Sequence, residues 1–164
     1  MKTLDLTSSF SVVSNASPDK VIDNLLFNID PNYAEADFSL RLPAKKYYGR
    51  VRFGKFFLTR PFSRGGKHFP FRIRLKGSIG QTGEGVTIVR CEATGYEIRL
   101  VFFSLWTLTW GAAISGRLAN DAWTDAGLFF LFFCFGLWNV LMTLKKFNMA
   151  KQEFVDLVKS AEYL

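Results

Sequence analysis

The residues with the strongest chemical character in this chain are cationic. Residues 38–83 contain twelve Lys and Arg and no Asp or Glu, whereas the first 37 residues hold six acids and two lysines. A basic block of this kind attracts phosphate and carboxylate groups. Three uses are open for it: contact with anionic lipid headgroups; binding of a phosphorylated ligand, a nucleic acid or an acidic protein; and a solvated face without a partner.

Strand periodicity sorts part of this block onto sheet faces. In 71–76 apolar and basic residues alternate, which puts the three basic residues on one face. The two arginines in 50–52 also share a face, and the strand register decides whether it is the same one. The loop 61–70 is Gly-rich and basic but lacks the spacing of a P-loop. The predicted contacts to anionic lipid or ligand are Arg50, Arg52, Arg72, Arg74, Lys76, Arg64 and Lys67.

Residues for catalysis or metal binding are sparse. The chain has one histidine, His68, and two cysteines, Cys91 and Cys134, and its acids are dispersed. A catalytic site needs converging acid, base or nucleophile groups. Cys91 falls in a predicted strand and Cys134 in an apolar run, so a disulfide is not expected. We therefore predict a non-enzymatic protein with no catalytic residue, no metal and no cofactor.

The elements that carry the basic block form a predicted α+β domain over residues 1–98. The Ser-Pro-Asp sequence at 17–19 is a helix start, with an N-cap hydroxyl and Pro at the first helical position. The apolar spacing extends this helix to about Asn28. Before it, residues 9–13 alternate weakly and predict a first strand.

The basic block itself is predicted to form an antiparallel β-meander. Residues 47–95 contain about four strands, and Gly54-Lys55 reads as a two-residue hairpin turn that pairs Phe53 with Phe56. A strand, a helix opening Ser-Pro-Asp, a meander and a late helix resemble in order the helix-grip fold of START-like lipid-binding proteins. A pleckstrin-homology-like half-barrel fits this order equally well. Neither resemblance carries functional residues onto this chain.

Two apolar runs follow this domain. Residues 100–116 form an uncharged run of 17 residues and residues 126–144 one of 19. Because a bilayer span needs about 20 apolar residues, and about 17 suffice, the runs predict a two-pass transmembrane hairpin over 99–145. An amphipathic helix over 146–164 is expected to continue from the second run, and either to pack on the strands or to lie along the membrane surface. Two core helices of a soluble protein are the alternative, but the second run is apolar all round, which argues against it.

Charged residues beside the apolar runs predict the orientation. The connecting loop holds Arg117 beside two acids, whereas the side with both outer ends of the hairpin holds five basic residues: Arg90, Arg99, Lys145, Lys146 and Lys151. The positive-inside rule then places both termini in the cytoplasm, and the N-terminus lacks the pattern of a signal peptide. We expect an integral protein of a bacterial inner membrane.

Small and polar residues within the runs predict how the two helices pack. The first run carries two small-xxx-small pairs, and the asparagine in the second run needs a partner such as Ser104. A pore-lining role for this asparagine is the alternative. The predicted helix-packing residues are Gly111, Ala112, Ser115, Gly116 and Asn139.

Together these features favour a non-enzymatic membrane anchor or accessory subunit. Its basic domain would contact anionic inner-leaflet lipids or a partner protein, and its hairpin would dock on a protein partner or on a second copy. A homo-oligomeric pore-forming or membrane-permeabilising protein is the second hypothesis, and a membrane-bound enzyme is the third. Nucleic acid is not expected as a partner, because the aromatic residues that would stack on bases are needed in the core.

Overall fold

The computed structural model of the chain describes residues 9–30, 45–62, 71–83, 85–95, 97–119 and 123–164. These fall into two compact units. The first, called the sheet unit, comprises Met1–Gly95 and Asn148–Leu164, and the second, called the helical unit, comprises Tyr96–Phe147. The sheet unit is therefore discontinuous in sequence.

The sheet unit contains one six-stranded sheet in the order β1-β6-β5-β4-β3-β2. The strands β1 to β6 are Ser9–Ser14, Ile29–Asp30, Tyr47–Arg52, Lys55–Phe62, Phe71–Gln81 and Thr87–Thr94. Neighbouring strands are antiparallel except for β2, which pairs in parallel with β3. The prediction of a purely antiparallel sheet is therefore wrong, because the sheet is mixed and has six strands, whereas β3 to β6 do follow one another in antiparallel order. A two-residue strand such as β2 carries no periodicity from which it could be predicted.

The β3–β4 hairpin forms with a different register from the predicted one. Arg52 pairs with Lys55, so Phe53-Gly54 is the turn rather than Gly54-Lys55. Phe53 has φ +50° and Gly54 has φ +68°. Two positive φ values define a type I′ turn, which prefers glycine at its second central position. This preference places the turn one residue earlier than expected.

The helix α1 spans Pro18–Asn28, and the Ser17 Oγ accepts a hydrogen bond from the Lys20 amide at 3.4 Å. Val21 and Leu25 are fully buried on one side of α1. Asn24 lies on the same side and donates to Leu157 O at 2.7 Å, which ties α1 to the C-terminal segment of the sheet unit.

The C-terminal segment covers one face of the sheet. Phe154 is fully buried, with its ring centre 5.3 Å from that of Phe56 and 6.1 Å from that of Phe10. Gly77 on β5 makes room for this cluster, because a Cβ there would lie 2.6 Å from the Phe56 ring. Glu153 adds an ion pair with Arg60, the Nε–Oε2 distance being 2.9 Å.

The C-terminal segment is the end of a long helix, as the continuation of the second apolar run into the amphipathic segment predicts. The helix α2 spans Glu97–Ala119, and α3 runs without interruption through Trp123–Ser160 before a 3-10 turn at Ala161–Tyr163. Lys145-Lys146 suggests a boundary in the sequence. The residues around it include neither glycine nor proline, however, so nothing there breaks the helix.

The predicted two-helix transmembrane hairpin is wrong. Within the described residues a single helix is long and apolar enough to cross a membrane, and it lies in Phe129–Tyr163. The apolar run of α2, Leu100–Gly116, is shorter. At about 1.5 Å per residue its 17 residues extend roughly 25 Å, less than the hydrocarbon core of about 30 Å.

In the helical unit, α2 and α3 pack side by side through aromatic side chains. The ring centres of Trp110 and Phe132 lie 4.7 Å apart. The ring contacts run in opposite directions along the two helices, from Phe103–Phe135 to Trp110–Phe129. The two helices are therefore antiparallel.

The closest approach between α2 and α3 occurs at Gly136. A Cβ at this position would lie 2.5 Å from Thr107 Oγ1 and 2.8 Å from Trp106 Cδ1, so a larger residue does not fit. Gly111 also lies in the interface, where a Cβ would make an ordinary contact with the Phe133 ring at 3.6 Å.

The other predicted packing residues have mostly local surroundings. Ser115 Oγ donates to Gly111 O at 3.1 Å, and Asn139 Nδ2 donates to Phe135 O at 2.8 Å, so both bond within their own helices. Ala112 is exposed. Among the described residues no atom lies within 4 Å of a Cβ built at Gly116.

Candidate anion-binding face

Basic side chains collect on the sheet face opposite the one that Phe154 covers. Ile73 and Leu75 are fully buried on the covered face. Because side chains alternate along a strand, the basic residues between and beside them project from the opposite face. The register extends this pattern over β3, β4, β5 and β6. The resulting surface, here called the basic face, comprises Arg50, Arg52, Lys55, Arg72, Arg74, Lys76 and Arg90.

The strand register answers the question that the sequence left open. Arg52 pairs with Lys55 and Arg50 with Phe57 on β4, and Phe57 pairs in turn with Lys76 on β5. The predicted contacts of β3 and β5 therefore share one face. Arg64 and Lys67, the other two predicted contacts, lie outside the described residues.

Two members of the basic face were not among the predicted contacts. Lys55 lies just after the hairpin turn, and Arg90 lies in β6 between the buried residues Val89 and Cys91. The alternation of β6 contained the signal for Arg90, but the sequence interpretation used this residue only for orientation. Lys55 was hidden by the register error, which placed it inside the turn.

A shallow groove crosses the basic face. It has a volume of about 760 Å³ and is lined by residues of β1, β4, β5 and β6. The side chains that project into it are three long cationic groups, three short hydroxyls and one carboxylate. They are Ser9, Ser11, Lys55, Lys76, Ser78, Arg90 and Glu92. Phe10, Phe56, Gly77 and Cys91 belong to the intervening cross-strand row, so they contribute backbone to the floor.

The electrostatics of the groove are dominated by its cations. Glu92 Oε2 pairs with Lys76 Nζ at 3.1 Å, and the two side chains are 43% and 55% exposed. A pair this exposed contributes little to stability, so the positive charge of Lys55 and Arg90 is what a ligand meets. The arrangement suits an anion.

The charged pair on the covered face has a different role. Arg60, although part of the basic block, binds Glu153 in a bidentate arrangement, with Nη2–Oε1 at 3.3 Å in addition to the shorter bond. Both side chains are largely buried, at 17% and 23% exposure. Arg60 therefore holds the C-terminal segment on the sheet instead of contacting a ligand.

Cys91 cannot serve as a nucleophile at neutral pH. Burial, together with the negative charge of Glu92, raises the pKa of its thiol to about 12. The thiol is therefore protonated, and only the thiolate is reactive. Burial also raises the pKa of Tyr47, whose hydroxyl has no hydrogen-bond partner among the described residues. Within those residues no group of three or more His, Cys, Asp or Glu could hold a metal ion.

Comparison of the chain with known proteins finds no match. No family model, no curated protein and no solved structure matches the chain. The START-like and pleckstrin-homology-like resemblances therefore carry no further weight, and the function has to be inferred from the residues themselves.

Proposed function

We propose that this protein is a non-enzymatic, membrane-anchored accessory protein whose sheet unit contacts anionic lipid headgroups through the basic face. The observation that carries this proposal is the collection of seven Lys and Arg on one sheet face, with Glu92 as the acid among the groove residues. Each Lys or Arg near an anionic membrane surface contributes about 1 kcal/mol.

The helical unit supports the membrane anchor. Large apolar side chains of α2 and α3 are exposed, including Leu105, Leu108, Leu131 and Leu141 at 52% to 69%. Only 11% of the apolar window in Phe129–Tyr163 is buried, whereas a core helix of a soluble protein would be mostly buried. A lipid environment removes the cost of exposing this surface to water.

Chain connectivity supports a single location for the sheet unit. Its two segments, Met1–Gly95 and Asn148–Leu164, pack together into one core, so they lie on the same side of any membrane. Arg99, Lys145 and Lys146 flank the apolar part of the chain. The positive-inside rule then favours the cytoplasmic side, where anionic lipids and the basic face would meet.

Thermal unfolding of the full-length protein in an uncharged detergent tests the lipid contact, because a ligand that binds the native state raises its stability. We expect phosphatidylglycerol to raise the unfolding midpoint more than phosphatidylcholine does, and we expect high salt to reduce the difference. The double variant Arg50→Gln/Arg52→Gln should lose much of this gain. The matched control Lys20→Gln/Lys159→Gln removes the same charge from exposed helix positions and should keep it.

Two results would contradict the proposal. Equal unfolding midpoints in phosphatidylglycerol and phosphatidylcholine would contradict the headgroup contact. Release of the protein from native membranes by alkaline carbonate would contradict the membrane anchor.

A further inference from the structure

The groove contains one position where two cations flank a hydroxyl. Ser78 on β5 pairs with Lys55 on one side and with Arg90 on the other, and Ser11 lies beyond Arg90 on β1. Adjacent strands are about 4.8 Å apart, so the Cα atoms of Lys55 and Arg90 are separated by about 10 Å. Both side chains are long and exposed, and they can converge over the short Ser78 from opposite sides.

This arrangement matches the acceptors of a phosphate group. Phosphate presents several oxygens in different directions, and it is bound best by charge-assisted hydrogen bonds from more than one side. Arg90 offers a planar fork of donors, Lys55 offers a compact ammonium, and Ser78 offers a hydroxyl between them. A phosphate seated over Ser78 would reach all three groups.

The neighbouring cross-strand row has a different chemical character. Ser9, Glu92 and Lys76 pair across β1, β6 and β5, and Glu92 forms its ion pair with Lys76 within this row. A carboxylate repels a second phosphate, but it accepts hydrogen bonds from hydroxyl groups. The row therefore suits the alcohol part of a ligand whose phosphate lies in the first row.

We propose that the groove binds a phosphorylated polyol, with its phosphate between Lys55 and Arg90 over Ser78 and its hydroxyl groups towards Glu92. The volume of about 760 Å³ accommodates a headgroup of this size. Glycerol phosphate and the headgroup of phosphatidylglycerol share this chemistry. The inference deepens the proposed function. It rests on the anion-binding role of the basic face and does not require the membrane anchor.

Calorimetric titration of the full-length protein in an uncharged detergent tests this site. The probes are glycerol 1-phosphate, dihexanoyl-phosphatidylglycerol, dihexanoyl-phosphatidylcholine and inorganic phosphate. We expect the first two to bind more tightly than the last two. The double variant Lys55→Gln/Arg90→Gln should raise the Kd for glycerol 1-phosphate about tenfold or more, since it removes two charge-assisted contacts.

A charge-matched variant separates a built site from diffuse attraction. Arg50→Gln/Arg52→Gln removes two charges from the same face but none from the groove lining, so we expect the Kd for glycerol 1-phosphate, which is small enough to contact the groove alone, to change by about threefold or less. If both double variants weaken binding equally, the basic face acts as a diffuse surface. The groove proposal is then wrong, while the proposed headgroup contact stands.

A single substitution in the second row provides an independent readout. Glu92→Gln should tighten binding of inorganic phosphate, because it removes a negative charge, and should abolish the preference for glycerol 1-phosphate over inorganic phosphate. An unchanged preference would overturn the assignment of Glu92 to the polyol. Binding of glycerol 1-phosphate without phosphatidylglycerol would support the groove with a soluble ligand and contradict the lipid contact. Absence of binding by every probe would overturn the site.

Discussion

At the scale of single residues, Gly77 decides whether the covered face of the sheet can close. A Cβ at Gly77 would lie 1.9 Å from the Arg90 carbonyl oxygen and 2.6 Å from the Phe56 ring. The backbone atom cannot move without disturbing the β5–β6 ladder, so even one methyl group overpacks this position.

We therefore expect Gly77→Ala to lower the free energy of unfolding by about 3 kcal/mol or more. The matched control is Gly80→Ala on the same strand, where among the described residues no atom lies within 4 Å of the added Cβ. This control should change stability by about 0.5 kcal/mol or less. Urea denaturation of both variants measures the difference. Equal losses would show that the contact at Gly77 is not what limits packing.

The backbone conformation of Phe53 is unfavourable for a residue with a large side chain. Its side chain is fully exposed, at 101%, and its φ of +50° is one that bulky residues rarely adopt. Asparagine before glycine is the preferred pair for this turn.

Phe53→Asn should raise the free energy of unfolding by about 1 kcal/mol. Phe53→Ala is the control, because it removes the same ring while keeping the unfavourable φ, and it should give no gain. Chemical denaturation compares the three proteins. A loss of stability in both variants would mean that the ring packs against part of the protein after all.

Part of this residue-scale description could be predicted from the sequence. The alternation in 71–76 predicts which side chains point away from the core, and the Ser-Pro-Asp sequence at 17–19 predicts the start of α1 at Pro18. The turn at Phe53-Gly54 was predicted one residue too late. The prediction assigned Gly54 to the first central position of the turn, whereas a type I′ turn prefers glycine at the second central position. Groups brought together across strands, such as Lys55, Ser78 and Arg90, depend on register, which local patterns do not determine.

At the scale of elements, the contact between α2 and α3 depends on Gly136. The sequence directed attention to the small residues of α2, whereas the closest approach uses a glycine of α3 surrounded by Phe and Leu. A single glycine in an apolar run gives no pattern, so the partner helix had to be known before its role was evident.

We expect Gly136→Ala to destabilise the helical unit even though alanine favours a helix by about 1 kcal/mol relative to glycine. The added Cβ would lie 2.5 Å from Thr107 Oγ1, and this clash outweighs the gain. Gly127→Ala is the control in the same helix, with no described atom within 4 Å, and it should be neutral or stabilising. Near-ultraviolet circular dichroism during heating in detergent reports on the tryptophans. Stabilisation of both variants would contradict close packing at Gly136.

At the scale of the whole molecule, the buried Cys91 thiol and Tyr47 phenol make the stability of the sheet unit depend on pH in the alkaline range. Below about pH 9, Cys91 is protonated in both the folded and the unfolded state, so it adds no pH dependence. Between about pH 9 and 12 the unfolded chain loses this proton while the folded chain keeps it. Because the folded state then binds more protons, stability falls as the pH rises. Tyr47 acts in the same direction.

Urea unfolding at pH 8, 9.5 and 11 measures this dependence. We expect a steady loss in the wild type that reaches about 3 kcal/mol from Cys91 alone at pH 11. The variant Cys91→Ala/Tyr47→Phe should have a flatter profile, and the difference between the two proteins cancels the titration of exposed lysines. Parallel profiles would show that neither group controls the alkaline limit.

The division of the chain into a sheet unit and a helical unit is a property of the whole molecule, and part of it could be predicted from the sequence. The two hydrophobic runs and the distribution of charged residues predicted an apolar region after a polar N-terminal domain. The amphipathic stripe after Phe147 suggested that the last segment packs on the strands or lies along a membrane surface. The continuation of the second apolar run into this amphipathic segment was also predicted, and α3 runs through both.

The discontinuous sheet unit has a consequence for biosynthesis. Asn24 bonds to Leu157 across 133 residues of sequence, and Asn15 bonds to Glu162 across 147. When the six strands have been synthesised, the face that Phe154 will cover is still open, and the ribosome must translate the entire helical unit before the covering segment exists. Synthesis of the helical unit therefore precedes closure of the sheet unit. A nascent chain that stops at that stage leaves Leu58, Ile73, Leu75 and Val89 without the covering segment and therefore open to chaperones and proteases.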